Sequence, residues 1–406
     1  MKILLVHKFY HVTGGAEVFF FETGRVLEEQ GHDVAYFSTR APQNKPSPFS
    51  SYFVNAPNFK QGNLLKRISA IGNIIYSRST KKSFARLLDD FKPDIVHVFA
   101  MFTHLSPSLL DACRERNVPV VMSCNDYKHI CPNYKLYHHG RLCEECNGGR
   151  FYNSIFNRCC QNSMAFSIAS CLESTAHHYM NILRKNVHTF LFAGEFMAKR
   201  TEEFWGKGSF RWAKLLNPFD STKYVTSTEY SGYFLFFGRL VEEKGCDVLL
   251  KAMQHAPEAR LVLVGDGPQL EELQKLSQDL NLKNVDFVGP KWGDELDSLL
   301  KQARFVVIPS IWHENFPYVI VQSFAIGKAV IGTDRGGIPE LVKDGEYGYI
   351  YPADDPIALA EKINLLWQNP RLAVDMGRKA KKYADSVFND WVFYDTLITI
   401  YQGVVK

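Results

Sequence analysis

Two short stretches place charged and polar side chains directly after apolar runs. In "GRLVEEKG", residues 238–245, Arg239 and Lys244 bracket two carboxylates, and in "HENFPYVIVQSF", residues 313–324, Glu314 is followed by the amide of Gln322. A planar guanidinium fork beside a compact ammonium suits a diphosphate whose charge grows as it departs. A carboxylate can orient sugar hydroxyls, and an amide further along a helix can hydrogen-bond a vicinal diol. Blander readings stand beside these. Arg239 and Lys244 can pair with Glu242 and Glu243 on a solvated loop, and Glu314 can belong to a capped helix on the surface.

Side chains of this kind need a scaffold, and the chain supplies a repeated one. A short apolar run, a Gly-rich or polar turn and a segment of helical period recur along it, which is how parallel sheets covered by helices read. "KILLVH", "DVAYFS", "DIVHVF", "VPVVMS" and "HTFLFA" are the expected strands of the first half; "YFLFFG", "ARLVLVG", "NVDFVG", "ARFVVIPS" and "KAVIGT" are those of the second. The polar, turn-forming "LLNPFDSTKYVTSTEYSG" between the two sets reads as the interdomain connection. After about residue 355 the strand signals stop. Helical segments follow, the last being "NDWVFYDTLITIYQGVV" with Asn389 or Asp390 at its N-cap. We therefore expect an α/β chain with a first domain over 1–216, a second over 217–385, and a helix over 386–406 packing back on the first. Two such open sheets would leave a cleft at the carboxyl ends of their strands, where ligands bind.

The composition agrees with two folded cores: 406 residues, 46% hydrophobic and 22% charged, with a formal charge of +4. So mild a charge does not indicate nucleic acid. "MKILLVH" runs into "HVTGGAE" without a cleavage site or a long apolar span, so a cytoplasmic protein without a transmembrane helix is expected.

The remaining motifs also follow strands. Gly14 and Gly15 come after the first strand and open a helix, where missing side chains admit a ligand and the helix N-terminus favours an anion; taken alone, the pair reads better as a plain tight turn. Asn125 and Asp126 follow the fourth strand. Pro317 stands at a first helical turn, and the amides of residues 315–319, Asn315 and Phe316 included, would face the cleft as anion donors.

Taken together, "GGAE", "GRLVEEKG", "LVLVGDGP", "VDFVG", "HENFPYVIVQSFAIGKAVI" and "GGIPELVKDGEYG" resemble, in order and spacing over nearly the whole chain, the family 4 retaining glycosyltransferases of GT-B fold. The resemblance implies two Rossmann-like doubly wound domains, a nucleotide-diphosphate sugar donor held by the C-terminal one, a glycan or lipid-linked acceptor, and metal-independent transfer with retention. Carried over, Arg239 and Lys244 hold the diphosphate and Glu314 the donor sugar. Gln322 binds the ribose, with Gly238 beside the phosphates and residues around Val288 and Gly289 at the base. Gly15 makes room for donor phosphate or acceptor. No Asp-x-Asp triplet follows a strand, which agrees with a site needing no catalytic divalent ion. Two positions depart from the family pattern. Gln322 stands where a second Glu is usual, turning a charge-assisted bond into a neutral one, and Asn125 stands where many members carry His. These departures motivate an alternative, a non-catalytic nucleotide-sugar or partner-binding protein. A nucleotide-sugar epimerase is a further alternative, for which no acid–base groups can be placed.

Two features lie outside that pattern. Five of the nine cysteines, Cys131, Cys143, Cys146, Cys159 and Cys160, fall in a polar insertion at about 131–160. Cys143-x-x-Cys146 is a knuckle spacing, so Cys131 with Cys159 or Cys160 could complete a structural Zn site; unpaired buried thiols or an iron–sulfur cluster are the other readings. His138 and His139 are expected to be exposed loop residues. Residues 59–91 mix Leu64, Leu65, Ile68, Ile71, Ile74 and Ile75 with Lys66, Arg67, Arg78, Lys81, Lys82 and Arg86. This is the composition of a basic helix pair that could lie on a membrane, or of an ordinary helix pair packed on the sheet.

Overall fold

The computed structural model describes residues 1–57 and 64–405, the side chains of 64–68 excepted. The chain divides into two compact units. The first comprises Met1–His138, Cys143–Pro218 and Phe393–Lys406, the second His139–Leu142 and Phe219–Val392. Each is built on a six-stranded parallel sheet.

In the first unit the strands are β1 (Lys2–His7), β2 (Asp33–Phe37), β3 (Ile95–Ala100), β4 (Val120–Ser123), β5 (Thr189–Phe192) and β6 (Trp212–Lys214), in the order β2-β1-β3-β4-β5-β6. Alternation along β1 explains why the sheet is covered on both sides. Leu4 and Val6 join the core with Phe190 and Phe192 on one face, while Ile3 and Leu5 meet Phe19 and Phe20 of α1 (Gly15–Glu29) on the other. α2 (Leu64–Ile75) and α3 (Arg78–Phe91) follow. Of the basic segment 59–91, residues 59–63 lie outside the described residues, while Ile74, Phe84, Leu87 and Leu88 point into the core. To that extent the two helices behave as packed helices. α4 (Ser108–Arg114), α5 (Met164–Tyr179) and α6 (Glu195–Trp205) complete the first half.

In the second unit β7 (Phe234–Phe237), β8 (Leu261–Val264), β9 (Val285–Gly289), β10 (Phe305–Ile308), β11 (Ala329–Thr333) and β12 (Gly348–Tyr351) run in the order β9-β8-β7-β10-β11-β12. The order reverses between β7 and β10, which pair through Leu235 and Val306. Helices α7 (Cys246–Met253), α8 (Leu270–Asp279), α9 (Gly293–Gln302), α10 (Tyr318–Ala325), α11 (Pro356–Gln368) and α12 (Pro370–Val387) belong to it. The segment read as a connection is anchored here. Ser221 is fully buried, its hydroxyl donating to Asp385 at 2.7 Å and its amide to the Phe388 carbonyl at 2.8 Å.

α13 (Asp390–Val405) starts where Asn389 accepts a hydrogen bond from the Val392 amide at 2.9 Å. Phe393, Leu397 and Tyr401 are buried in the first unit's core with Phe19 and Phe99. The Tyr401 hydroxyl lies 2.7 Å from Nδ1 of His97, whose Nε2 lies 2.8 Å from the Ser123 hydroxyl. All three groups are fully buried, so the imidazole must stay neutral, with one nitrogen donating and the other accepting. No described helix is long and apolar enough to cross a membrane.

Burial lowers the pKa of His97 from 6.5 to about 3. Its folded value thus lies below its unfolded one. The resulting stability is fully present above about pH 6.5 and is lost as pH falls toward 3. Tyr401→Phe should cost about 1–3 kcal/mol by stranding a buried nitrogen. Calorimetric melts from pH 7 down to pH 4 should show both the offset in the variant and the decline in the parent.

Candidate active site

The strand order dictates where chemistry can sit. Chains leaving β7 and β10 part in opposite directions at the reversal, leaving a crevice at their carboxyl ends. The loop 238–245 leaves β7, and the loop 310–317 leaves β10.

Backbone-to-backbone contacts hold these loops. Gly265 has φ +148°, and a Cβ there would lie 1.9 Å from the Gly238 carbonyl oxygen. The turn after β8 can therefore close on Gly238 only without a side chain. The Leu240 amide then donates to the Asp266 carbonyl at 2.9 Å, and the Ile311 amide to the Glu243 carbonyl at 3.0 Å, tying the two loops together. Glu314 is clamped in the same way. Its carbonyl accepts from the Gly337 amide at 2.7 Å, and a Cβ on Gly336 (φ +60°) would lie 2.2 Å from that carbonyl oxygen.

The side chains converge on a buried ion pair. Glu314 is 5% exposed, and its Oε1 accepts from Lys244 Nζ at 2.5 Å and from the Ser310 hydroxyl at 2.7 Å. Burial alone would push this carboxyl up. The Lys244 ammonium and the Ser310 hydroxyl outweigh it and hold the pKa below the ordinary value of 4.5. Glu314 is thus an ionised carboxylate in a dry setting. Thr333 fixes the far side of the loop by donating to the Ser310 carbonyl at 2.7 Å.

Each residue expected from sequence can now be placed. Lys244 pairs with Glu314, and it ends a short 3₁₀ turn while α7 begins at Cys246. Arg239 is exposed, and its guanidinium makes no hydrogen bond or ion pair among the described residues, so the surface pairing with Glu242 or Glu243 is not formed. Asn315 is half-buried, Phe316 packs against Phe388 at 5.9 Å between ring centroids, and Pro317 caps α10 rather than opening it. Gln322 is half-buried on α10, its amide making no hydrogen bond among the described residues. Val288 is exposed at the end of β9 beside Gly289, which has φ +72°. Gly14, Gly15 and Asn125 belong to the first unit. Gly14 caps α1 in an extended conformation, and the adjoining Glu17 is buried, accepting from the Thr13 hydroxyl at 2.8 Å. Ser310 and the Gly336–Gly337 pair have no role in the sequence reading, although the pair opens "GGIPELVKDGEYG", two residues past "KAVIGT".

The cysteine-rich insertion departs from expectation at one histidine. Cys131, Cys146 and Cys160 are buried, and Cys143 and Cys159 are half-buried. Among the described residues, His138, Cys143 and Glu145 form a group of metal-binding type, with donor atoms within 4.8 Å of one another. His138, expected at the surface with His139, is buried; the short segment around it folds inward while His139 stays exposed.

Comparison with known proteins agrees with this architecture. Residues 223–383 match the model of glycosyl transferases group 1, and residues 13–162 match that of glycosyltransferase family 4. The chain belongs to this glycosyltransferase family. An uncharacterized glycosyltransferase of Methanocaldococcus jannaschii is 33% identical over 37% of this chain, and the match spans 42% of that relative's length. A 42.6 kDa protein of the cps region of Klebsiella pneumoniae is 25% identical over 84% of this chain and 87% of its own. The Anabaena protein HepE, solved in complex with UDP and glucose, superposes with a TM-score of 0.63 at 16% identity over 99% of this chain and 100% of its own. The fold of this glycosyltransferase is GT-B.

The pair Lys244–Glu314 should behave as one unit. Because the folded pKa of Glu314 is depressed, its contribution to stability is present above about pH 4.5 and lost as pH falls below it. A urea double-mutant cycle with Lys244→Met and Glu314→Gln should give a coupling of about 1–3 kcal/mol at pH 7. That coupling should shrink in acid.

Proposed function

We propose that the protein is a retaining glycosyltransferase moving a sugar from a nucleotide-diphosphate sugar to a glycan or lipid-linked acceptor, in polysaccharide or glycolipid assembly. The observation that carries this reading is the buried, ionised Glu314 paired with Lys244 where the strand order reverses. HepE, with UDP and glucose bound, shares the fold, which supports a nucleotide-sugar donor.

In this reading Glu314 orients the donor sugar, and the Lys244 ammonium at its edge reaches the diphosphate together with the exposed Arg239 fork. The Gln322 amide meets the ribose, Val288 and Gly289 lie at the base, and residues 315–317 offer the start of α10. In the transfer, the bond from the anomeric carbon to the diphosphate oxygen breaks and a bond from that carbon to the acceptor oxygen forms on the same face. The acceptor's proton passes to the departing phosphate oxygen. No histidine at position 125 is required, and no divalent ion, since the two cations carry the charge of the leaving group. Gly15, beside Gly14, makes room for donor phosphate or acceptor, and the Asn125 amide can hydrogen-bond a sugar. The opposing reading, a non-catalytic binder, rests on Asn125 and Gln322.

For the cysteine-rich insertion we read a structural zinc ion, supported by the proximity of His138, Cys143 and Glu145 and by the thiols of Cys131, Cys146, Cys159 and Cys160 in the same insertion. Nitrogen, thiolate and carboxylate are all zinc ligands.

A panel of nucleotide-sugars, read by release of nucleoside diphosphate in the presence of a chelator, should yield turnover with one donor class. Arg239→Ala should lower kcat by about 10²–10³. Release from no donor, together with its appearance in Asn125→His, would favour the non-catalytic reading. Elemental analysis of anaerobically purified protein should show about one zinc per chain; no stoichiometric metal would remove that assignment.

A further inference from the structure

α5 turns a polar stripe toward the interior. Glu173, Ser174, His177 and His178 recur at the one-turn spacing that puts them on a single helix face. Glu173 is paired with the buried Lys128 at 2.8 Å and accepts from the Thr103 amide at 2.9 Å. His177 Nε2 lies 2.9 Å from the Ile75 carbonyl oxygen of α2, and the two contacts together fix the rotation of the helix. The stripe is not fully covered. With Phe102, Phe151 and Trp205 it lines a cavity of about 30 Å³, and every residue of that lining belongs to the first unit. The cysteine-rich insertion builds one side of it. The Phe151 ring meets His178 at 74° with 5.6 Å between centroids, and Gly149 (φ +79°) passes so close that a Cβ there would lie 3.1 Å from His178 Nε2.

The hydrogen-bonding groups left over in this cavity say what it takes. A carbonyl only accepts, so Nε2 of His177 carries the ring hydrogen. Burial lowers the pKa of His177 from its ordinary 6.5, so the ring is neutral at pH 7 and its Nδ1 is an acceptor. At 6% exposure, that nitrogen has no hydrogen-bond partner among the described residues. The Ser174 hydroxyl also has none, and the Asn181 side chain uses only its oxygen, which accepts from Arg184 at 2.7 Å. Acceptor and donor functions thus stand open side by side. An anion would meet the Nδ1 lone pair and the Glu173 carboxylate, and a cation would meet Lys128 and Arg184. A hydroxyl group both donates and accepts. A space of 30 Å³ holds about two water-sized groups, which is the room needed by two hydroxyls on neighbouring carbons, with the C–H groups of their ring against the aromatic walls. Aromatic walls around a few convergent polar groups are the composition of a ligand site.

We propose that this pocket of the first unit binds the diol edge of an uncharged sugar residue, as a glycan site that shares no residue with the donor site. It goes beyond the transfer reaction and does not rest on it, since a sugar without a nucleotide is enough to fill it.

The test is saturation-transfer NMR on the full chain with the methyl α-glycosides of glucose, galactose, mannose, rhamnose and N-acetylglucosamine, no nucleotide being present. At least one glycoside should take up saturation from the parent. His177→Gln keeps a donor for the Ile75 carbonyl and removes the acceptor, while Ser174→Leu fills the cavity and leaves the buried ion pair alone; each should weaken binding about tenfold or more. Asn125→Ala and Glu314→Gln, altered at the proposed transfer site, should bind as the parent does. Ser174→Leu should release nucleoside diphosphate at the parental rate, so that glycoside binding without any such release counts against the transfer reading alone. The proposal is overturned if none of the five glycosides binds, if both cavity variants bind as well as the parent, if Asn125→Ala or Glu314→Gln abolishes binding, or if inorganic phosphate displaces the bound glycoside and so marks an anion site.

Discussion

A carboxylate kept ionised out of water is the constraint around which the second unit is arranged. Glu314 can hold its charge at 5% exposure only because Lys244, distant in sequence, arrives at 2.5 Å, with Ser310 filling in beside it. That meeting needs the two loops fixed to within a fraction of an ångström. The fixing is done by main chain rather than side chain, with Gly265 against Gly238 and Gly336 against Glu314. The adjacency of β7 and β10 comes first, the glycine contacts second and the ion pair third; an anion approaching the end of these strands meets a cation already held in place.

The first unit solves a related problem differently. It buries a second lysine–carboxylate pair, Lys128 with Glu173, and the lysine also donates to the Pro132 carbonyl at 2.9 Å. This pair ties the loop after β4 to α5, and it leaves α5 with its polar side spent on the interior. The polar lining of its pocket and the ionic contact beside it are two results of one choice of helix rotation.

Much of the fold was legible because its central strands are buried on both faces and read as uninterrupted apolar runs. The ten strands expected from the sequence all form, including "FLFF" and "LVLV". In the two six-stranded sheets the strands not expected, Trp212–Lys214 and Gly348–Tyr351, each lie at an edge. There one flank has no partner strand, burial is partial, and the residues look like those of a loop. In the candidate site, Arg239, Lys244 and Glu314 stood out as charged groups directly after apolar runs. The pairing of Lys244 with Glu314 was not legible, since the sequence offered Glu242 and Glu243 as nearer partners and gave no sign that Glu314 would be buried. His138 was misread for a similar reason: a polar segment with few apolar residues gives no hint that one of its histidines turns inward.

The first unit's core is closed by residues from the far end of the chain, with Phe393, Leu397 and Tyr401 seated against Phe19 and Phe99. On the ribosome, the amino-terminal sheet must therefore wait, its α13 contact surface uncovered, while the whole of the second unit is made. At about 5–20 residues per second this delay lasts on the order of ten to thirty seconds. The surface that α13 will cover is thus exposed for longest during synthesis.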